Sequence, residues 1–285
     1  MIKTFLSLFL SGFFILFIFS CGNEAEELQA AVEESSSDQA PDSVIDEVAR
    51  FKYDKLIGNI PIPFDIFRMH ADVPLSYNLN SVNLTSRLPS YVSNSSKALN
   101  LGVYGGDLAY SITYEKFEDM GNYLDCAKRL ADDLGIPLAF DQHTLITYRK
   151  YSTNKDSLEK MVFNSYNEVD KTLRSNERLG LASLVITGGW LEGLYATLTT
   201  LKTSKEIEKS KILFPKIWEQ KNYLEMVIGL LEQFNEDVFF ASLVHDLKGI
   251  KSIYDGLAIK SEINKQEISA LTKQVTAVRN KIVIQ

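Results

Sequence analysis

Two acidic residues, Asp107 and Glu192, lie beside paired glycines in the segments "VYGGDLAY" and "ITGGWLEGLY". If these segments face each other, two carboxylates come together, and their like charges raise at least one carboxyl pKa. Such a pair suits a cationic ligand or a hard metal ion, with nearby aromatic faces available to the cation. The candidate ligand-binding residues are therefore Asp107, Tyr110, Trp190, Glu192 and Tyr195. Alternatively, the aromatic residues belong to the core, and the acids are exposed or paired with Lys and Arg.

The glycine pairs do not match a phosphate-binding loop, because neither G-x-G-x-x-G nor G-x-x-x-x-G-K-[ST] occurs in the chain. Gly102 and Gly106 are four residues apart, as are Gly189 and Gly193, and residues at this spacing share one helix face. A face without side-chain bulk lets two helix backbones approach closely. The residues predicted to pack in this way are Gly102, Gly105, Gly106, Gly188, Gly189 and Gly193.

Other residue types with catalytic potential form no recognisable motif. The three histidines, His70, His143 and His245, are far apart in sequence, and H-E-x-x-H does not occur. The G-x-S-x-G motif of serine hydrolases is absent as well. Cys126 lies in a helical pattern with no histidine nearby in sequence, which favours a buried structural thiol. We therefore predict no catalytic residue and no metal ligand.

The elements that must position these residues are helical. Long stretches without proline (90–136, 138–214 and 216–285) carry apolar residues at three- and four-residue spacing. Strand signals are scarce, although "DQHTLITYRKY" fits either a short strand or a helical turn. The proline-rich stretch 58–90 predicts short helical turns and loops. The fold class is thus all-α, a helical bundle in a single domain from 48 to 285.

A weak internal repeat divides this bundle. The sequence "NYLDCAKRLADDLG" follows the first glycine pair, and "NYLEMVIGLLEQF" follows the second. Each copy reads as a glycine-rich helix, a turn and a helix beginning near Asn-Tyr-Leu. We expect two helical hairpins related by an approximate two-fold axis, with their glycine faces meeting near it.

A long C-terminal helix is predicted from the most regular apolar pattern in the chain. Alternating steps of three and four residues from Phe240 to Ile282 meet thirteen positions, of which eleven are apolar. Such a seam packs lengthwise against a partner helix. Ser261 and Asn264 interrupt the seam and mark the expected position of a bend. The partner is another helix of the same chain or, alternatively, another protein or a second copy of this chain.

The N-terminus has the features of an export signal. Lys3 precedes an apolar run from Phe5 to Phe19, which has the length of a signal-peptide core and is short for a membrane-spanning helix. The run ends in "IFSC", which resembles the lipobox of bacterial lipoproteins. That resemblance implies a signal peptide over residues 1–20 and lipid attachment, such as palmitate, at Cys21. An uncleaved anchor with an incidental cysteine is the alternative.

Residues 21–47 are expected to form an acidic tether. Nine Asp and Glu residues and no Lys or Arg lie between Gly22 and Glu47, and such a segment self-repels and buries little apolar area. The remaining body carries 29 basic and 28 acidic residues, although the whole chain has a net charge of −7. A near-neutral body lacks the positive charge that nucleic acid or an anionic membrane surface attracts. The expected membrane contact is therefore the lipid anchor.

Three segments, "LNLGVYGGDLAYS", "KRLADDLGI" and "ITGGWLEGLY", resemble a group of uncharacterised lipoproteins of Bacteroidota. This resemblance spans roughly residues 45–285. It implies a helical, extracytoplasmic lipoprotein of the cell envelope, at the outer membrane, and it supplies no activity and no site residues.

Two function classes follow from these patterns. The favoured one is a non-enzymatic binding or scaffold module, anchored by lipid, with an unknown ligand. The alternative is a helical metal-dependent or hydrolytic enzyme whose site is assembled from distant helices. A stoichiometric metal found by elemental analysis of the purified protein would favour the enzyme.

Overall fold

The computed structural model describes residues 50–284 apart from 74, 152, 205–208 and 258–263. These residues belong to one compact unit, Glu47–Gln285. Within them every regular element is a helix, so the all-α prediction is confirmed. The predicted signal peptide, Cys21 and the tether lie outside the described residues, as does the rest of the chain before residue 50.

Ten α-helices, joined in places by short 3₁₀ turns, make up the described part of the bundle. They are α1 (described from 50 to 57), α2 (Pro63–Arg68), α3 (Asn94–Thr113), α4 (Phe117–Asp133), α5 (Gln142–Lys150), α6 (Lys155–Ser175), α7 (Leu179–Thr203), α8 (Phe214–Leu231), α9 (Val238–Gly256) and α10 (Lys265–Val283). The ambiguous segment "DQHTLITYRKY" therefore forms helix α5, and the proline-rich stretch forms α2 with 3₁₀ turns, as predicted.

Helices α3 and α7 form the centre of the bundle. Every residue from 98 to 112 of α3 and from 187 to 198 of α7 is buried. The two helices pack against each other, while α2, α4, α6, α8 and α10 cover them. Among the described helices, α7 is long and apolar enough to cross a membrane, but 83% of its apolar window is buried in the protein. Its composition is that of a core helix surrounded on all sides.

Polar side chains at the helix ends explain several of these bounds. Ser93 caps α3 by accepting a hydrogen bond from the Ser96 amide at 3.1 Å, and Asn154 caps α6 through the Ser157 amide at 2.9 Å. Each cap satisfies an amide that has no partner within its own helix. Gly135 follows α4 with a φ of +73°, a conformation that glycine adopts without steric cost.

The predicted single C-terminal helix is wrong, because the seam is divided between α9 and α10. Helix α9 ends at Gly256, and α10 begins after Asn264. Asn264 accepts hydrogen bonds from the Gln266 and Glu267 amides, and the Glu267 carboxylate accepts one from the Asn264 amide. This capping box starts a new helix near the position where only a bend was expected.

The apolar seam packs against other helices of the same chain. Helices α9 and α10 pack against each other, α9 also contacts α8, and α10 contacts α7. The described apolar seam positions are buried except Leu257, which is half-buried. The order of elements also fits the predicted hairpins, since α4 follows α3 and α8 follows α7, whereas their two-fold relation stays a prediction.

The crossing of α3 and α7 brings backbone against backbone. A Cβ atom added to Gly102 would lie 2.0 Å from the Val185 carbonyl oxygen. A Cβ atom added to Gly188 would lie 2.0 Å from the Leu99 carbonyl oxygen. Both distances are far shorter than van der Waals contact, and backbone cannot rotate away as a flexible side chain can. Only glycine fits at these two positions without moving the helices apart.

We predict that Gly102→Ala and Gly188→Ala each lower the free energy of unfolding by at least about 1–3 kcal/mol, the usual cost of overpacking a core. The matched control is Gly121→Ala, because Gly121 is an exposed residue of α4 and nothing lies within 4 Å of a Cβ added to it. The control should gain about 0.5–1 kcal/mol from helix propensity. Urea denaturation measures all three variants, and equal gains in all of them would contradict a backbone contact.

Candidate functional site

The two glycine segments place the candidate acids side by side. A Cβ atom added to Gly106 would lie 2.9 Å from the Cβ of Glu192. Asp107 follows Gly106 directly, and the side chains of Asp107 and Glu192 are both 0% exposed. Gly193 directly follows Glu192, and a Cβ on it would lie 2.8 Å from Cδ1 of Ile66 in α2. The acids therefore share one buried region at the α3–α7 crossing.

Tyr166 of α6 fills the space left by two other glycines. A Cβ on Gly105 would lie 2.2 Å from the Tyr166 hydroxyl oxygen, and one on Gly189 would lie 3.0 Å from it. The hydroxyl donates a hydrogen bond to the Gly102 carbonyl oxygen at 3.2 Å. The glycines thus admit a tyrosine hydroxyl as well as a helix backbone.

A buried arginine neutralises one of the acids. Arg279 of α10 donates from Nε to Oε2 of Glu192 at 2.9 Å and from Nη2 to Oε1 at 2.7 Å. This bidentate pair is almost wholly buried, since the Arg279 side chain is 4% exposed. The guanidinium also lies over the Tyr195 ring, 4.5 Å from its centroid. The carboxylate that a ligand cation would bind already binds a cation of the same chain.

The second acid has no cation of its own. Asp107 Oδ2 accepts a hydrogen bond from the Asn83 amide at 3.1 Å, whereas Oδ1 accepts none among the described residues. The protonated carboxyl of Asp107 can instead donate to the neighbouring Glu192 carboxylate. Burial raises the pKa of Asp107 well above its usual value, and the neighbouring Glu192 charge raises it further, against the lowering effect of Arg279. Burial and the Glu192 charge thus both disfavour the ionised form of Asp107, and the Arg279 guanidinium bonds to Glu192.

Trp190 and Tyr195 are core residues with satisfied polar atoms. Trp190 Nε1 donates to Oε1 of Gln220 in α8 at 3.1 Å, and Trp190 is fully buried. The Tyr195 hydroxyl donates to the Asn80 carbonyl oxygen at 3.3 Å. The structure therefore does not bring these two aromatic residues to one site. The Tyr195 ring contacts Arg279 of the Glu192–Arg279 pair, whereas Trp190 is hydrogen-bonded to α8.

Tyr110 belongs to a second buried cluster, formed around His70. Its hydroxyl lies 2.7 Å from Oγ1 of Thr200 and accepts a hydrogen bond from the Asn78 amide at 3.0 Å. The ring packs against Phe67, with 5.2 Å between centroids, and edge-on against His70 at 6.4 Å. Tyr110 is therefore held by the core rather than directed into open space.

The hydrogen bonds of His70 define its protonation. The Thr197 hydroxyl donates to the Gly193 carbonyl oxygen at 2.8 Å, so its oxygen accepts from His70 Nε2–H at 2.9 Å. His70 Nδ1 then accepts from the Tyr114 hydroxyl at 2.8 Å. Burial lowers the pKa of His70 to about 3. The imidazole is neutral, with its proton on Nε2.

Sequence reasoning missed both Arg279 and His70 as partners of this region. Arg279 had a signal, since it lies four residues after Val275 and three before Ile282 on an apolar face. A lone cation in that position requires a buried carboxylate. His70 had none, because its partners Tyr114 and Thr197 are 44 and 127 residues away.

No family model, curated protein or solved structure matches this chain. Within the described ranges, no three His, Cys, Asp or Glu side chains are grouped as metal ligands. None of the five candidate ligand-binding residues lines either of two surface cavities, one between α6 and the α1–α2 connection and one beside it.

We predict that Glu192→Gln and Asp107→Asn differ sharply in stability at pH 7. Glu192→Gln removes the carboxylate that forms the bidentate pair with buried Arg279, and loss of one partner of such a pair should lower the free energy of unfolding by about 3–5 kcal/mol. Asp107→Asn replaces a protonated carboxyl by an amide of similar shape, so a change below about 1 kcal/mol is expected. Chemical denaturation measures both variants. A loss in Asp107→Asn as large as that in Glu192→Gln would mean that Asp107 is ionised in the folded protein.

A second prediction concerns pH. His70 stays neutral in the folded protein down to about pH 3 but takes up a proton near its ordinary pKa of 6.5 when unfolded. The unfolded state therefore binds more protons between these values, and this contribution to stability falls as pH drops from 6.5 toward 3, by at most about 1.4 kcal/mol per unit.

The difference in unfolding free energy between wild type and His70→Gln should accordingly shrink as pH falls from 7 to 4. His245→Gln is the control, because His245 is exposed on α9. Denaturation at several pH values measures the difference, which removes the contribution of carboxylates common to both proteins. A difference independent of pH would contradict a neutral, buried His70.

Proposed function

We propose that this chain is a lipid-anchored, non-enzymatic binding or scaffold module of the bacterial cell envelope. The observation that carries the proposal is the buried Glu192–Arg279 pair, in which the acid best placed to bind a cation is bound within the fold. His70 is likewise bound on both ring nitrogens. The side chains with catalytic potential at the centre of the bundle thus stabilise the fold, and their burial keeps them out of contact with solvent and dissolved ligands.

The location proposed for this module rests on the N-terminal sequence. The "IFSC" sequence after a short apolar run supports lipid attachment at Cys21, and the acidic segment that follows supports a tether between lipid and bundle. The near-neutral charge of the body supports a lipid anchor as the main membrane contact. An extracytoplasmic position at the outer membrane follows from the resemblance to lipoproteins.

We predict that Cys21→Ala removes lipid attachment, so that the protein leaves the membrane fraction or its maturation is blocked. Cys126→Ala is the control, because Cys126 is a buried free thiol within the bundle. Membrane fractionation and intact mass of the mature protein measure both effects. Unchanged membrane retention and unchanged mass of Cys21→Ala would instead indicate an uncleaved apolar anchor.

A further inference from the structure

A surface cavity of about 340 Å³ lies between α6 and the segment that joins α1 to α2. Helix α6 contributes Phe163, Tyr166, Asn167 and Asp170, whose spacing places them on one face. The volume lies within the range of small-molecule sites in proteins. Because Phe163 is 46% exposed, its ring offers an apolar face that a ligand can cover.

The wall opposite α6 is apolar and stiff. It is formed by the sequence "IGNIPIP", from which Ile60, Pro61, Ile62 and Pro63 line the cavity. Two prolines fix their backbone φ angles, so little conformational entropy is lost when this wall contacts a ligand. Ile186 of α7 completes the apolar lining. A ligand with an apolar or aromatic body fits such walls.

The charge of the lining is negative. Its ionisable acids are Asp65 and Asp170, and no Lys, Arg or His is part of it. Asp170 is already bound by Tyr53 and Arg174. Asp65 is different, since Oδ1 accepts from Arg68 at 2.8 Å while Oδ2 has no hydrogen-bond partner among the described residues. The Arg68 side chain is 68% exposed, and such surface pairs contribute little.

A neutral hydrogen-bonding group accompanies this carboxylate. The side-chain amide of Asn167 lines the cavity and has no hydrogen-bond partner in the described part of the chain. Its oxygen can accept from an ammonium group, and Asp65 Oδ2 can accept a second hydrogen bond. The exposed Phe163 ring adds an aromatic face to the same cavity, and such faces attract cations. Apolar walls with these acceptors favour an organic cation over an anion.

We propose that this cavity binds a small organic cation with an aromatic body, of the class of aromatic amines. The proposal deepens the binding role proposed above and rests on it. The neighbouring cavity of about 420 Å³ shares Ile62 and Phe163 and is lined by two bases, Arg68 and Lys160, and two acids, Asp156 and Glu159. These opposite charges balance, whereas the lining of the first cavity holds acids and no base, so the ammonium group is assigned to the first cavity, beside Asp65.

The test uses ligand-observed ¹⁹F NMR with the full chain in a non-ionic detergent. The probes are 2-(4-fluorophenyl)ethylamine, 2-(4-fluorophenyl)ethanol and 3-(4-fluorophenyl)propanoate, which differ mainly in charge. Saturable binding of the amine is expected with a dissociation constant on the order of 1 mM, as suits so small a ligand. The alcohol should bind more weakly, and the propanoate should not saturate. Equal binding of the propanoate would overturn the assignment of a cation.

Gly58→Phe tests the position of the site. Gly58 lines the cavity, and a Cβ added to it meets nothing within 4 Å, so a phenylalanine there adds bulk to the cavity wall without a clash at its Cβ. Gly121→Phe is the matched control, because Gly121 is equally open and lies outside the lining. Amine binding should be lost in Gly58→Phe and kept in Gly121→Phe. Binding kept in both would place the amine elsewhere, including in the detergent, and would overturn the proposal.

Asp65→Asn tests the role of charge. Loss of one charge-assisted hydrogen bond should weaken amine binding by about tenfold while leaving the alcohol nearly unchanged. An equal effect on both probes would show that Asp65 acts without its charge and would overturn the assignment. Membrane release of Cys21→Ala is measured separately. Failure of the amine to bind therefore refutes this ligand class and leaves the anchored module standing.

Discussion

The structure depends on the backbone contact between α3 and α7. Gly102 and Gly188 allow this contact because they have no Cβ atom. A Cβ at either position would lie 2.0 Å from a carbonyl oxygen of the other helix. Glycine costs about 1 kcal/mol relative to alanine within a helix. Burial of the central turns of both helices offsets this cost, since close backbones remove more apolar surface from water. The same approach leaves Asp107 and Glu192 buried on facing turns, out of contact with solvent.

Helix α10 is held in place by polar groups of this centre. Arg279 binds Glu192, and one turn later the side-chain amide of Asn100 donates to the Ile282 carbonyl oxygen at 3.2 Å. The Tyr91 hydroxyl donates to the Val283 carbonyl oxygen at 3.1 Å. Carbonyl groups at the end of a helix have no partners within it, so these bonds close the C-terminal end of α10. A charged pair and two neutral bonds thus orient one helix against the core.

Local patterns in the sequence predicted much of the fold but little of the centre's chemistry. The helical body and the short turns of the stretch 58–90 follow from short-range spacing and from the positions of proline, which fix backbone conformation directly. The apolar seam from Phe240 to Ile282 was misleading, because the same period continues on both sides of the interruption and hides the new helix start at Asn264. The position of Arg279 on an apolar face indicates that it needs a carboxylate partner, but its pairing with Glu192, 87 residues away, was out of reach because periodicity does not say which distant residues pair.

The separation of Glu192 and Arg279 along the chain also makes closure of the core a late event in folding. The two residues are 87 positions apart, so their contact closes a long loop and has a high entropic cost. Until α10 docks, Glu192 lies at the α3–α7 crossing without its guanidinium partner, and burial of a carboxylate in that state is unfavourable. We therefore expect the tight packing of α3 against α7 to form together with the docking of α10 rather than before it.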